Sequence, residues 1–491
     1  MNQLSDMNLT ALQPGVNNLG YDRTLVDIGI VHFGPGAFHR AHQAVYTDDL
    51  LRLQGGNWGI CEVSVNSPTF RDAVREQDNL YTLAILDRNP SQQIIGAIKE
   101  VLVAPENPAA VIDRLGNPQT QAVTLTITEK GYCLTPAGKL DSSHEGIQHD
   151  ITHLDRPKTA IGYLVAGLRK RREDGSKPFV VISCDNLTDN GQRLRNAVME
   201  LAAKIDPQLA QWITQEVYFP CTMVDSITPA TDDLVRDCVS QEIGLRDNWP
   251  VQREGFTQWV IEDLPGAVLP PWNLVGATFS NDVQGFEAAK LRILNGTHSS
   301  LAFAGLLAGC ETVEQAIGSD YIRAYIDQML QREIIPTIQP VEGLDLQRYA
   351  REILARFENP AIRHFLSQIA WDSSQKIPFR LLGTIQDNLL AGRSCDLQCL
   401  AVAAWMRLIQ KMSREQQAIT DPLSARLQQI GQCEDQSDES CVDAFLSITD
   451  MFPPSLAADL CFRQSVMASY SHLAPANLDV VDHAMAEVCS V

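Results

Sequence analysis

Ile28-Gly-Ile-Val-His-Phe33 runs directly into Gly34-Pro-Gly36-Ala-Phe38-His39-Arg40, and Ala41-His-Gln-Ala-Val-Tyr-Thr-Asp-Asp-Leu-Leu51 follows with helical spacing of its apolar residues. A short apolar run, a glycine turn and a helix in that order predict the phosphate-binding corner of a dinucleotide fold. Gly34 permits the tight turn. Gly36 lets backbone approach a pyrophosphate at the helix N-terminus, where unsatisfied N–H groups attract an anion. The third glycine usual in such corners is replaced by His39, so helix and strand are expected to pack differently. A plain left-handed turn is the alternative use of the same glycines.

Outward from this corner, Trp58 to Val65 predicts a second strand. An acidic residue at its carboxyl end would hold an adenosine ribose; Asn66-Ser67 stands there, and Arg71 is the nearest cation that could meet a 2′-phosphate. Ala122 to Thr128 and Pro178 to Ser183 read as further buried strands, ending at Glu129-Lys-Gly-Tyr132 and Cys184-Asp-Asn186. Ligands of open α/β sheets sit beyond the carboxyl ends of the strands, which marks Thr128, Glu129, Asp185 and Asn186. Capping the next helix is the other role open to Asp185 and Asn186, although Asp189-Asn190-Gly191 offers its own cap. Phe219 to Pro229 is a short extended run carrying Asp225, and the proline-rich passage from Ile261 to Trp272 reads as a loop.

From about residue 284 the pattern turns to helix after helix, with Glu333 to Gly343 as a connector. The fold class expected is α/β, with a Rossmann-like doubly wound domain over residues 1–283 and a mainly helical substrate and catalytic domain over 284–491. The helix carrying Lys290 is expected to line the cleft between them.

That helix is Glu287-Ala-Ala-Lys290-Leu-Arg-Ile-Leu-Asn295-Gly-Thr-His298, followed by no charge until Glu311. At about 100° per residue its four named polar side chains fall within an arc of roughly 140°. A lysine in an apolar site loses solvation of its charged form and becomes a usable proton acceptor. The Asn295 carboxamide could stabilise an oxygen gaining negative charge. The competing reading has Lys290 and Arg292 reaching to water, Asn295-Gly296 ending the helix and His298 as a core histidine. Further on, Pro378 is expected to break the helix, leaving Arg363, Lys376 and Arg380 either as a basic pocket or as solvated helix-end cations.

Composition bounds the function. With 491 residues, 45% of them hydrophobic, the chain can fill two large cores, and a net charge of -21 argues against nucleic acid or an anionic membrane surface as partner. The first ten residues lack the pattern of a signal peptide, and no run is long enough to span a membrane, so a soluble cytoplasmic protein is expected. The 12 cysteines include no Cys-x-x-Cys pair. Reduced, buried thiols are expected, with Cys395 and Cys399 on one core face. No metal is expected, since His39 and His42 with Glu62 or Asp48 lack a well-placed third ligand.

Phe33-Gly-Pro-Gly-Ala-Phe-His-Arg-Ala-His-Gln43, Thr126-Ile-Thr-Glu-Lys-Gly-Tyr132, Ser183-Cys-Asp-Asn186, Met223-Val-Asp225, Lys290 with Asn295 and His298, and Ser374-Gln-Lys376 together resemble the mannitol dehydrogenase family of long-chain polyol dehydrogenases. Within it the chain looks most like the fructuronate reductase (mannonate oxidoreductase) branch. The resemblance implies a metal-independent, NAD-dependent secondary-alcohol dehydrogenase acting on a small sugar acid or polyol, as a monomer or weak homo-oligomer. Carried over, Lys290 is the general acid/base, Asn186 and Asn295 polarise the reacting oxygen, His298 orients the substrate and Glu287 routes the proton. Lys376, Arg363, Arg380, Gln368 and Asp225 fall at substrate-binding positions, and Gly34, Gly36, Phe38, His39, Arg40, Asn66, Thr128 and Glu129 at cofactor-binding ones. Mannitol-type members carry arginine where Gln368 stands, whereas Arg363-His364 and Arg380 follow the uronate type, whose substrate adds a carboxylate that a guanidinium recognises. The expected reaction is D-mannonate to D-fructuronate. Mannitol, arabinitol or sorbitol 2-dehydrogenation, tagaturonate reduction and a cofactor-binding sensor without turnover are the alternatives. Departures from the family pattern are Ser226 after Met-Val-Asp and the loop Glu262-Asp-Leu-Pro265.

Overall fold

Strand β1 (Ile28–Phe33) lies at the centre of a five-stranded parallel sheet. The structure is a computed structural model that describes residues 1–432 and 437–473. In chain order the strands of its first part are β2 (Gly59–Ser64), β3 (Tyr81–Leu86), β4 (Ser91–Ile95), β5 (Ile98–Val103), β6 (Ala122–Leu125), β7 (Val180–Ser183), β8 (Thr222–Asp225), β9 (Val251–Glu254), β10 (Gln258–Glu262) and β11 (Thr278–Ser280). The main sheet runs β5-β2-β1-β6-β7, so the chain reverses direction of growth at β1, beside which a ligand crevice opens. Two three-stranded sheets, β11-β10-β8 and β4-β3-β9, complete this part.

Side chains alternate across β1. Val31 and Phe33 enter one apolar cluster with Val63, Val123 and Leu125, while Ile30 enters another with Ile60, Ala122 and Ile182. Both faces of the sheet are therefore covered, as a parallel sheet requires. Two buried polar residues interrupt the second face: His32 on β1 and Glu62 on β2, which are direct neighbours in the register.

The chain divides into two compact units, Met1–Gln284 and Gly285–Val491. The second is helical. Its helix Asp396–Arg414 is buried along most of its length and packs against Thr297–Leu307 and Leu460–His472. Glu333, read from sequence as part of a connector, is buried and caps that helix, accepting the N–H groups of Leu397 and Gln398 at 2.8 Å each. Cys395 and Cys399 share a buried helical face, their sulfurs 3.7 Å apart. Among the described residues no helix is long and apolar enough to cross a membrane.

One expectation is corrected and one competing reading fails. The run from Val283 to Leu307 does not end at Asn295-Gly296, as the competing reading had it; it continues through a π-helical segment, Lys290–Gly296, between two α-helical pieces. Pro378 does not break its helix either, because Pro378–Leu382 is also π-helical and joins Ser373–Ile377 to Gly383–Leu390. The wider turn relieves the clash that a proline ring makes with the carbonyl four residues earlier, and it dispenses with the missing N–H. Gly296 has a different reason to be glycine: a β-carbon there would lie 3.0 Å from the Arg380 carbonyl oxygen.

Candidate functional site

In the first unit the chain turns at Gly34, whose φ of +102° is open to glycine, and a β-carbon there would stand 2.1 Å from the Thr126 carbonyl. Gly34 N–H donates to Val63 O at 3.1 Å and Gly36 N–H to Gly34 O at 2.6 Å. Helix α1 (Ala37–Ala41) starts immediately, with Gly36 as its N-cap, and α2 (Gln43–Gln54) continues it. Gly36 has no atom nearer its would-be β-carbon than 3.8 Å. It opens onto a cavity of about 890 Å³ lined by Gly34–Ala37, Arg40, Asn66, Thr126 and Thr128 among others.

Arg40 is buried at this corner, its Nη1 donating to Trp249 O at 3.0 Å and its charge lying over the rings of Phe70 and Tyr81. Asp185 does not cap the helix that follows it but acts as a clamp: it accepts from the N–H groups of Ile127 and Thr128 at 2.9 and 3.0 Å and from the Tyr132 hydroxyl at 2.6 Å. That holds Thr128 at a φ of +62° on the cavity wall. Asn186 is left exposed at the carboxyl end of β7. The buried amide of Asn190 ties β7 to β8 by donating to Ser183 O and Thr222 O. Asp225 is buried at the end of β8.

Of the expected cofactor residues, Gly34, Gly36, Arg40, Asn66 and Thr128 line the cavity, whereas Phe38, His39 and Glu129 do not. Phe38 stacks on His42 at 5.0 Å, His39 is buried against the sheet and Glu129 is exposed in the turn Thr128–Gly131. Arg71, the candidate for a 2′-phosphate, is paired with Asp72 and Glu106. Lys130, His144, Lys158 and Arg236 bring cations or titratable groups to the wall. They sit in loops or on short helices with no spacing signal, and the sequence reading misses them.

His32, His39 and Glu62 have ligand-type atoms within 4.8 Å of one another. His32 is spoken for at both nitrogens: Nε2 faces Gly34 O at 3.1 Å and Thr126 Oγ1 at 2.9 Å, and Nδ1 faces Thr124 Oγ1 at 2.7 Å. A carbonyl can only accept, so Nε2 carries the proton and Nδ1 accepts from Thr124. Both His32 nitrogens are therefore engaged, and its lone pair is turned to Thr124 rather than to Glu62 and His39.

In the second unit Lys290 is 8% exposed on the π segment, with Glu287 one turn before it and Asn295 after it, both half-buried. Because a π turn advances less than 100° per residue, the single narrow stripe expected of a regular α-helix does not describe these side chains. Such segments recur at functional sites. Arg292 is engaged elsewhere, paired with Asp387 at 2.6 Å.

His298 stacks on Phe357 at 5.1 Å and meets the His364 ring edge-on at 4.8 Å, and its Nε2 is buried without a hydrogen-bond partner. Burial pushes its pKa well below the ordinary value, and the charges of His364, Arg380, Arg356 and Lys376 push it further. Arg380 donates to Ser299 Oγ at 3.0 Å, and burial lowers its pKa to about 10. Lys376 Nζ donates to Ile369 O at 3.2 Å, and its pKa is lowered by burial and then by Arg380. A neutral imidazole acted on by the charges of Arg380, Arg356 and Lys376 is suited to an anionic ligand. Arg363 is outside this group: it is 73% exposed, lies over Phe365 and stands 4.0 Å from Glu311. Gln368 is exposed. His364, which the sequence reading marks beside Arg363, packs on His298, and Arg356, which it does not mark, acts on the same ring electrostatically.

Models of the mannitol dehydrogenase Rossmann domain and of the mannitol dehydrogenase C-terminal domain match residues 28–273 and 282–474. The chain is 41% identical to D-mannonate oxidoreductase of Escherichia coli (strain K12), over 96% of this chain and 98% of that one. Among solved structures, Pseudomonas fluorescens mannitol 2-dehydrogenase in ternary complex with NAD and D-mannitol is 35% identical, with a TM-score of 0.81 and 99% of each chain covered. A D-sorbitol dehydrogenase in substrate-free form is 28% identical, with a TM-score of 0.90 over 98% of this chain and 100% of that one.

Proposed function

This chain belongs to the mannitol dehydrogenase family, and on that premise we propose that it is an NAD-dependent secondary-alcohol dehydrogenase interconverting D-mannonate and D-fructuronate. The observation that carries the substrate reading is a partly buried guanidinium and ammonium, Arg380 beside Ser299 and Lys376 at Ile369, whose charges act on His298 in a protein of net charge -21. A hexonate differs from a hexitol by a carboxylate, and a desolvated guanidinium and ammonium are the groups that recognise one.

The cofactor reading rests on the corner. Gly36 leaves open space where a pyrophosphate would approach, and Gly34, Gly36, Arg40, Asn66 and Thr128 would hold the dinucleotide. When bound, NAD takes up or returns a hydride at the carbon bearing the reacting oxygen. The chain's own residues do the rest. Lys290, uncharged, accepts the substrate hydroxyl proton at Nζ during oxidation, and Glu287 passes it to solvent. Asn186 and Asn295 donate carboxamide N–H groups to the oxygen as its charge builds. Neutral His298 and buried Asp225 orient the sugar hydroxyls, and Lys376 and Arg380 hold the carboxylate.

Likeness to the mannitol 2-dehydrogenase favours a polyol as the rival substrate. Initial rates with NADH on fructuronate, tagaturonate and fructose separate the readings. Fructuronate is expected to give the highest kcat/KM; a preference for fructose would overturn the carboxylate assignment.

A further inference from the structure

The residue that replaces the usual third glycine leads to a second role for the corner. His39 does not close the gap between helix and sheet with apolar packing. Its ring stacks on His32 at 3.3 Å, and its Nε2 reaches to 2.8 Å from Glu62 Oε1, all three side chains being buried. Neither Glu62 oxygen has an aligned hydrogen-bond donor. An ionised carboxylate in that position would be both desolvated and poorly compensated.

Charge of the opposite sign is nearby. Arg40, one residue beyond His39, interacts electrostatically with Glu62, and among the described residues no carboxylate lies within ion-pair distance of it. Its recorded hydrogen bonds go to the neutral carbonyls of Pro35 and Trp249. Arg40 also lines the cavity next to Gly34–Ala37. One buried guanidinium on the cavity wall therefore feels two possible anions, the Glu62 carboxylate and a ligand phosphate.

We propose that Glu62 is a positioning residue for a dinucleotide pyrophosphate: ionised, it competes for the field of Arg40, and it takes up a proton when the pyrophosphate binds. The inference rests on the cofactor reading given above. From the sheet side the groups facing Glu62 are His32 on β1; from the helix they are His39 and Arg40. Tyr81 on β3 and Asp247 also act on Arg40, and Glu100 and Arg114 act on Cys61, the residue before Glu62 on β2. Burial raises the Glu62 pKa to about 7 against the opposing pull of His32 and Arg40, and it lowers that of His39 to about 3. Glu62 is thus the member of the cluster that titrates in the working range. Its neutral form leaves Arg40 to the phosphate; its anion does not.

The sign follows from linkage. A bound anion favours the protonated acid, so cofactor affinity falls as pH rises through the Glu62 pKa. Titrating NADH by its fluorescence between pH 6 and pH 9, the wild-type Kd is expected to rise about tenfold, equivalent to a one-unit shift in the pKa. Calorimetry at pH 7.5 in buffers of different ionisation enthalpy should record uptake of about half a proton per NADH bound, the amount a shift from about 7 to about 8 gives. Glu62→Gln keeps the shape and removes the charge, so its Kd should be nearly flat over the same range and its proton uptake lost. His144 also lines the cavity wall, and it is present in both proteins, so the difference between their profiles reads Glu62 alone. Identical pH profiles for wild type and Glu62→Gln would overturn the proposal. So would the absence of proton uptake by the wild type, whether or not the variant folds. Failure of NADH to bind at any pH would instead remove the cofactor reading on which the proposal stands.

Discussion

Replacing each corner glycine by alanine separates a glycine kept for the backbone from one kept for a ligand. At Gly34 the added methyl would stand 2.1 Å from the Thr126 carbonyl oxygen, on a residue whose φ is +102°. The left-handed conformation costs about 1–2 kcal/mol for an L-residue, and forcing a methyl into packed structure adds about 1–3. Gly34→Ala should therefore lose about 2–5 kcal/mol of stability. At Gly36 φ is an ordinary -72° and the nearest atom is 3.8 Å away, so Gly36→Ala should unfold within about 0.5 kcal/mol of the wild type. Its methyl nevertheless stands where a pyrophosphate must come within hydrogen-bond reach. Loss of one charge-assisted bond, about 1.5–3 kcal/mol, raises the NADH Kd by about 10–150-fold. Urea unfolding followed by tryptophan fluorescence and NADH titration read the two effects separately. A Gly36→Ala protein that binds NADH within twofold of the wild type would refute the placement of the pyrophosphate at this corner.

Arg380→Met should raise KM for fructuronate about 10–100-fold, from loss of a charge-assisted contact, while the rate with fructose changes much less; steady-state kinetics on both substrates checks this. Glu333 carries its own pH signature, since burial raises its pKa from 4.5 to about 7 despite two backbone donors. A carboxyl raised in the folded state stabilises the fold below its unfolded pKa, and that stability is lost as pH rises through the folded one. Between pH 4.5 and 7 the wild type should therefore lose up to about 3 kcal/mol relative to Glu333→Gln, at about 1.4 kcal/mol per pKa unit; denaturant melts at the two pH values measure the difference.

The corner at Gly34 is legible in the sequence because each signal there is local: a β-branched apolar run, a glycine turn and an apolar helix lie within a few residues. The main-sheet strands β1, β2, β6 and β7 are readable for the same reason, being short apolar runs buried on both faces. The half-buried edge strands β4 and β11 carry no comparable run, and β9 reaches its partner β3 from far along the chain. Helix phase misleads more than helix existence. Lys290 and Asn295 lie on helix as expected, but their segment is π-helical, and its Gly296 meets the Arg380 backbone, a contact between segments that no periodicity records. The same holds for Arg356, whose charge acts on His298 across segments. A misleading local reading put Arg363 in the basic pocket; its neighbours place it over Phe365 and out in solvent instead.

Lys290→Ala, with kcat for fructuronate reduction and the NADH Kd determined on the same preparation, bears most directly on the proposal that a buried lysine moves the proton. Loss of a general acid/base typically removes about 10²–10⁴ of the rate, so kcat should fall by about a thousandfold while the Kd stays within about threefold of the wild type. A variant that turns over within tenfold of the wild type would contradict it.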